Sequence, residues 1–164
     1  MDGACRPIAN GWKDEPVIDI AGLYKIFGDD PAGALLLVRG KGIRRAELLE
    51  RHNSVLALKD VTLSMPARRI QVIMGLSGSG KSTLIRHINR LVEPTAGRVT
   101  VDGEDVLALS KPALREFRRR KTAMVFQRFA LLPHRTVAQN VAYGLAIQGR
   151  GAEEIKRLTA YWLD

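Results

Sequence analysis

Eight consecutive residues, Gly75-Leu76-Ser77-Gly78-Ser79-Gly80-Lys81-Ser82, fit the pattern G-x-x-x-x-G-K-[ST]. Glycines at 75, 78 and 80 let the backbone curl so that successive N–H groups face a common centre. A helix starting near Lys81 would bring its positive dipole end to the same place. A concavity of that kind holds a triphosphate. Lys81 would set its ammonium between the β- and γ-phosphates, the Ser82 hydroxyl would ligate Mg²⁺, and Thr83 would hydrogen-bond the α-phosphate, with Ser77 and Ser79 completing the loop. A glycine-rich structural turn is the plainer reading of such a stretch. The context disfavours it, because the loop sits between an apolar run at 70–74 and a stripe of Leu84, Ile85, Ile88 and Leu91 at helical spacing.

The elements that must hold this loop follow from the apolar pattern. Residues 17–27, with Ile18, Ile20, Leu23 and Ile26 among polar neighbours, read as an extended strand, and residues 1–16 show no period and read as a loose tail. From 28 to 53 the composition shifts to Gly, Ala and Arg, and Ala46, Leu48 and Leu49 lie between charged residues in a short helical pattern, which marks an inserted helical excursion. Residues 55–63 return to alternation, 70–74 is expected to be a buried strand, and Glu93-Pro94-Thr95 closes the helix after the loop. Val99-Thr100-Val101 followed by Asp102-Gly103 predicts a hairpin, since Asp-Gly supplies the positive φ angles of a type I′ turn. Residues 112–120 read as a short basic helix and 122–126 as another buried strand. Thr136 with Gln139 three residues on forms a capping box ahead of Val137, Val141 and Leu145. A last helix has Glu153 and Glu154 in its first turn and Ile155, Leu158 and Trp162 on one face.

Composition narrows the partners. The chain has 164 residues, 26 Lys+Arg against 17 Asp+Glu, and 46% hydrophobic residues, which suits one soluble domain. The longest apolar run, 34–38, falls far short of the roughly 20 residues of a membrane span, and the first sixteen residues have no apolar core of a secretion signal, so the cytosol is the expected compartment. Cys5 is the single cysteine, which excludes an internal disulfide and a cysteine zinc cluster; we read it as incidental. The formal charge of +9 gathers in two clusters, Arg39, Lys41, Arg44 and Arg45, and Arg115, Arg118, Arg119, Arg120 and Lys121. Neither is interleaved with aromatic residues that would stack on bases, so solvated helix faces are the preferred reading over nucleic-acid binding.

The stretch 124–137, MVFQRFALLPHRTV, followed by Asn140-Val141, closely resembles the Q-loop region of ATP-binding cassette (ABC) proteins, with Gln127 at an ordinary cassette spacing from Lys81. Upstream, LYKIFG at 23–28 resembles the first cassette strand, with Phe27 matching the aromatic that stacks on adenine. The insertion after it, together with VIMGLSGSGKSTL at 72–84, NRLVEPTAG at 89–97 and FQRFALLPH at 126–134, is similar to the ATPase subunit of glycine betaine/proline (quaternary amine) importers. The resemblance implies an α/β P-loop NTPase cassette: a RecA-like core, an antiparallel β subdomain and, at 136–164, the start of a helical subdomain. It implies ATP and Mg²⁺ as ligands, with Phe27, the loop 75–83 and Gln127 around them and Ser82 and Gln127 on the metal. It further implies a head-to-tail pair of cassettes, transmembrane permease subunits, a solute-binding protein, and a place at the cytoplasmic face of the membrane.

Several cassette features do not occur in these residues. There is no LSGGQ-type signature and no apolar strand ending in Asp-Glu, and Val101-Asp102-Gly103-Glu104 reads as a hairpin instead. His52, His87 and His134 lie outside the position of the family's switch histidine and read as surface or helix residues. Arg68-Arg69 stands where a Gly-Glu turn is usual. The expectation is therefore a partial cassette that binds Mg-ATP weakly and hydrolyses none, with its apolar strands short of cover. Alternatives are a cassette of an amino acid or phosphonate importer, a cassette acting on DNA or ribosomes, and a non-catalytic fragment that occupies another cassette's interface.

Overall fold

A computed structural model describes residues 16–126 and 130–164. Its elements are β1 (Pro16–Phe27), α1 (Pro31–Gly40), α2 (Arg45–His52), β2 (Val55–Pro66), α3 (Lys81–Ile88), β3 (Ala96–Val101), β4 (Glu104–Asp105), α4 (Lys111–Arg120), α5 (Val137–Ile147) and α6 (Ala152–Leu163). They fall into two compact units, one ending at Ala108 and the other beginning at Leu109.

The first unit is an antiparallel sheet in the order β2-β1-β3-β4 with helices packed on it. Long β1 is central, pairing Ile26 with Leu56 and Phe27 with Val55 on one side and Ile20 with Val99 on the other. The hairpin forms where the Asp-Gly signal lies: Asp102 and Gly103 have φ of 49° and 77°, the left-handed pair that a tight turn between twisted strands requires. Two apolar clusters hold the unit. Ile20, Leu23, Leu58, Leu84 and Val99 join β1, β2 and β3 to α3. Tyr24, Ile26 and Leu56 join Ala34, Leu35 and Val38 of α1 and Leu48 of α2.

The excursion after β1 thus contains two helices where the apolar pattern pointed to one. The start of α1 is set by Asp30, whose carboxylate accepts from the Gly33 amide at 2.9 Å, and by Pro31 in the first turn, where its missing N–H costs nothing. The Arg39 guanidinium lies 4.5 Å from the centroid of the Tyr24 ring, a cation–π contact between the insertion and β1.

Two expected strands are not strands. Residues 70–76 and 122–126 carry no ladder, and no described strand pairs with them. A parallel strand covered on both faces needs a neighbour on each side; without one, Ile70 is 95% exposed, Met74 86% and Val125 97%. Ile73 is half-buried and packs against the cluster around Leu58 and Leu84. The sheet that forms is wholly antiparallel. The turn before this segment has Arg68 at φ 58°, so the left-handed conformation that glycine usually supplies is imposed on an arginine.

In the second unit α4 starts at Ser110, whose hydroxyl accepts from the Ala113 amide. Its basic residues end the helix, where Arg118, Arg119 and Arg120 complement the negative dipole end, and Glu116 pairs with Arg119 and Arg120. That accounts for this charge cluster as a helix face. The capping box at α5 is complete, with the Gln139 amide donating to the Thr136 hydroxyl at 3.2 Å and the Thr136 amide donating to Gln139 Oε1 at 3.0 Å. α5 and α6 pack together, leaving Tyr161 and Trp162 in edge contact and largely exposed. Among the described residues no helix is long and apolar enough to cross a membrane.

Candidate phosphate-binding site

The loop 75–80 leads directly into α3, as the motif requires. Gly80 is the residue on which the geometry turns. It has φ +96°, and a Cβ there would stand 2.7 Å from the Ala57 carbonyl oxygen and 2.9 Å from Leu58 Cδ2, so only glycine lets the loop lie this close to β2. The Leu84 amide donates to the Gly80 carbonyl at 2.8 Å, which fixes the first helical turn. No side chain caps the N-terminus of α3, and its first turn contains no acid. The amides there are available to an anion, and the helix dipole favours negative charge at that end.

Lys81 folds back over the loop. Its ammonium donates to the carbonyls of Gly75 at 2.8 Å and Leu76 at 2.6 Å and reaches the Ser79 hydroxyl at 3.4 Å. Those oxygens hold the cation at the mouth of the loop, where phosphate oxygens would replace them as stronger, charged acceptors. Ser82 is exposed and Thr83 half-buried on the first turn. The donor set of one ammonium, uncapped helix amides and hydroxyls is that of a polyphosphate site.

Thr83 also ties the first turn of α3 to the next. Its carbonyl accepts from His87 Nδ1 at 2.6 Å, so that nitrogen carries the proton. His87 is a helix residue, as read, but its ring is fully buried, and among the described residues Nε2 has no hydrogen-bond partner. Desolvation holds its pKa below the ordinary 6.5 and the charge of Lys25 adds to that, outweighing the Thr83 bond and Glu93.

Phe27 ends β1 and is half-exposed. It pairs with Val55, two residues before the Ala57 that abuts Gly80, so the ring and the loop share one end of the sheet. Lys25 approaches the ring at 4.7 Å from its centroid while donating to the Glu93 carbonyl at 2.8 Å. The Glu93-Pro94-Thr95 segment is stitched to β1 a second time, by the Ile26 amide donating to the Thr95 hydroxyl at 2.9 Å. Sequence patterning gives no sign of that cation on the ring.

Gln127 lies outside the described residues. Residues 132–136 are held by Asn140 of α5, in a role that its position in the sequence did not announce. Its Oδ1 accepts from the Leu132 amide at 2.8 Å and its Nδ2 reaches the carbonyls of Leu132, Arg135 and Thr136, which tie residues 132–136 to the first turn of α5. His134 is exposed in that loop and His52 ends α2, also exposed. Among the described residues no group of three or more His, Cys, Asp or Glu is placed to hold a metal ion.

Comparison with known proteins gives the arrangement its context. The "Glycine betaine/proline betaine transport system ATP-binding protein ProV" of Escherichia coli is 49% identical over 137 residues, 84% of this chain and 34% of that protein. The "Glycine betaine transport ATP-binding protein OpuAA" of Bacillus subtilis is 45% identical over 86% of this chain and 34% of its own length. The chain therefore spans about a third of the curated relatives it matches. Among solved structures, the ATP-binding cassette MJ0796, in a dimeric post-hydrolysis state bound to ADP and Pi, superposes with a TM-score of 0.68 at 29% identity, over 88% of this chain and 54% of that one. The model of the ABC transporter family matches residues 58–162, from β2 through the phosphate loop to α6. On that match the chain belongs to the ABC transporter family.

Proposed function

We propose that this chain is the nucleotide-binding part of the ATP-binding subunit of an importer for quaternary-amine osmolytes of the glycine betaine type. The observation that carries the reading is the loop 75–80 running into the uncapped N-terminus of α3, with the Lys81 ammonium held across it on the carbonyls of Gly75 and Leu76. In this reading the amides of 78–83 and the Lys81 ammonium bind the phosphates, and the Ser79, Ser82 and Thr83 hydroxyls orient them. Phe27 stacks on the base, and Gly75, Ser77, Gly78 and Gly80 give the backbone room to approach. ATP supplies the phosphoanhydride whose binding and cleavage drive transport. Mg²⁺ would take one ligand from Ser82 and one from Gln127, and the rest from phosphate oxygens and water, which suits an ion that keeps much of its hydration. The subunit would pair with a second cassette and dock peripherally on transmembrane permease subunits at the cytoplasmic face, in a system with a separate solute-binding protein. The names of the relatives support the solute class, and the inserted segment 28–53 lies within the resemblance to that class.

The test is equilibrium dialysis of the full chain with radiolabelled ATP and Mg²⁺, beside uptake of labelled glycine betaine by cells that depend on the intact transport locus. Lys81→Ala is expected to weaken ATP binding at least tenfold and to abolish uptake. Unchanged binding would sink the nucleotide reading, and uptake of a different solute class, with betaine uptake absent, would sink the substrate reading alone.

A further inference from the structure

The inserted segment brings an arginine to the edge of the phosphate loop. Arg45 is the first residue of α2, and its guanidinium donates through Nη2 to the Ala57 carbonyl at 3.4 Å. That oxygen is the one that a Cβ on Gly80 would meet at 2.7 Å. A single peptide carbonyl therefore stands between the guanidinium and the residue that opens α3. Ala57 in turn lies two residues along β2 from Val55, the partner of Phe27. The arginine thus faces the stretch between the aromatic ring and the loop, where the ribose and α-phosphate of a nucleotide would lie.

We propose that Arg45 is a second cationic contact for the nucleotide, exchanging the Ala57 carbonyl for a ribose or α-phosphate oxygen when ATP binds. The proposal rests on the reading of 75–83 as a nucleotide cradle and adds a binding residue from outside that motif. Three observations carry it. The present bond is long, exposed and made to a neutral oxygen, so replacing it with an anionic acceptor is favourable. The backbone of Arg45 is fixed, because Leu48 one turn on is fully buried against β1, β2 and α1, so only the side chain has to move. The acid of the same helical turn, Glu47, is paired with Arg51 at 2.9 Å. A planar guanidinium suits two oxygens of one phosphate, which an ammonium at the same place does not.

The experiment is equilibrium dialysis of the full chain with radiolabelled ATP, comparing Arg45→Gln, Arg45→Lys, the neighbouring Arg44→Gln and Lys81→Ala, at low and at high salt. Arg45→Gln is expected to weaken binding about fivefold at low salt and less at high salt, as for an exposed charge beside a phosphate. Arg45→Lys should recover part of the loss, and Arg44→Gln should bind as the parent does. If Arg45→Gln binds ATP like the parent while Lys81→Ala does not, this inference falls and the nucleotide site stands. A loss that Arg45→Lys shares in full and salt does not alter marks a structural role through Ala57 and also overturns it. Binding that survives Lys81→Ala removes the cradle itself, and the inference with it.

Discussion

Gly80→Ala tests whether the close approach of the loop to β2 is built into the backbone. Two costs add. An alanine at φ +96° sits in a conformation that L-residues avoid, which costs about 1–2 kcal/mol. Its methyl group would also lie 2.7 Å from a backbone carbonyl and 2.9 Å from the buried Leu58 side chain, so β2 or the start of α3 must shift, an overpacking term of about 1–3 kcal/mol. Together they come to about 3 kcal/mol, a hundredfold in the folding equilibrium. Gly78 is the internal comparison, because at φ +76° it bears the conformational cost but a Cβ there meets nothing within 4 Å, so Gly78→Ala should cost only about 1 kcal/mol. Urea denaturation followed by far-UV circular dichroism gives the two losses, and hydrogen exchange at the β1 amides 20–26 assigns them to the first unit. Equal destabilisation by the two variants would refute the reasoning, since it would mean that the contact with Ala57 carries no energy.

Two further outcomes follow from single residues. His87 is neutral in the fold with its pKa below 6.5, whereas the unfolded ring takes up a proton near that value, so stability is full above pH 6.5 and declines as pH falls below it, by up to about 1.4 kcal/mol per pH unit. His87→Leu removes the proton site and the unpartnered Nε2 together, and Tm measured at pH 7.5 and 5.5 should converge relative to the parent; an unchanged pH dependence would show that His87 is not its source. Thr136→Ala removes the hydroxyl that accepts from the Gln139 amide, while the backbone amide of residue 136 can still donate to Gln139 Oε1, and should cost about 1 kcal/mol, read as faster exchange of the first α5 amides, with Thr136→Ser close to the parent. Equal exchange in the alanine variant would assign the order of that turn to Asn140 instead.

What could be read in the sequence was what depends on neighbours along the chain. The Asp102-Gly103 turn, the Thr136–Gln139 box and the passage from Gly80 into α3 are each set by a few consecutive residues, and each forms where those residues stand. The runs 70–74 and 122–126 are a different case. Their apolar composition suits a strand covered on both faces, but composition does not say which segment lies alongside, and no described segment does. α1 went unread for a milder reason: its face of Ala34, Leu35 and Val38 is short and mixed with glycines, so its signal lay in the Asp30-Pro31 start rather than in a period. His87 was invisible as a buried residue because a lone histidine on a helix has no pattern that tells core from surface. Contacts between distant segments, such as Lys25 on the Glu93 carbonyl or the Ile26 amide on the Thr95 hydroxyl, leave no local trace at all.

The insertion shows how such distant contacts reach the site. Leu48 is fully buried, and it shares its cluster with Tyr24, Ile26 and Leu56, residues that also belong to the sheet. Leu56 pairs with Ile26 and is followed at once by Ala57, the residue against which Gly80 rests. The two inserted helices are therefore part of what fixes β2 where the phosphate loop leans on it, and a cavity made at Leu48 would be felt one residue away from that contact. A loop lengthened by twenty-odd surface residues would leave the cradle indifferent to its sequence. A pair of helices that share a core with the cradle's supporting strand makes the insertion part of the site's foundation, and Arg45 bonds the same Ala57 carbonyl against which Gly80 rests.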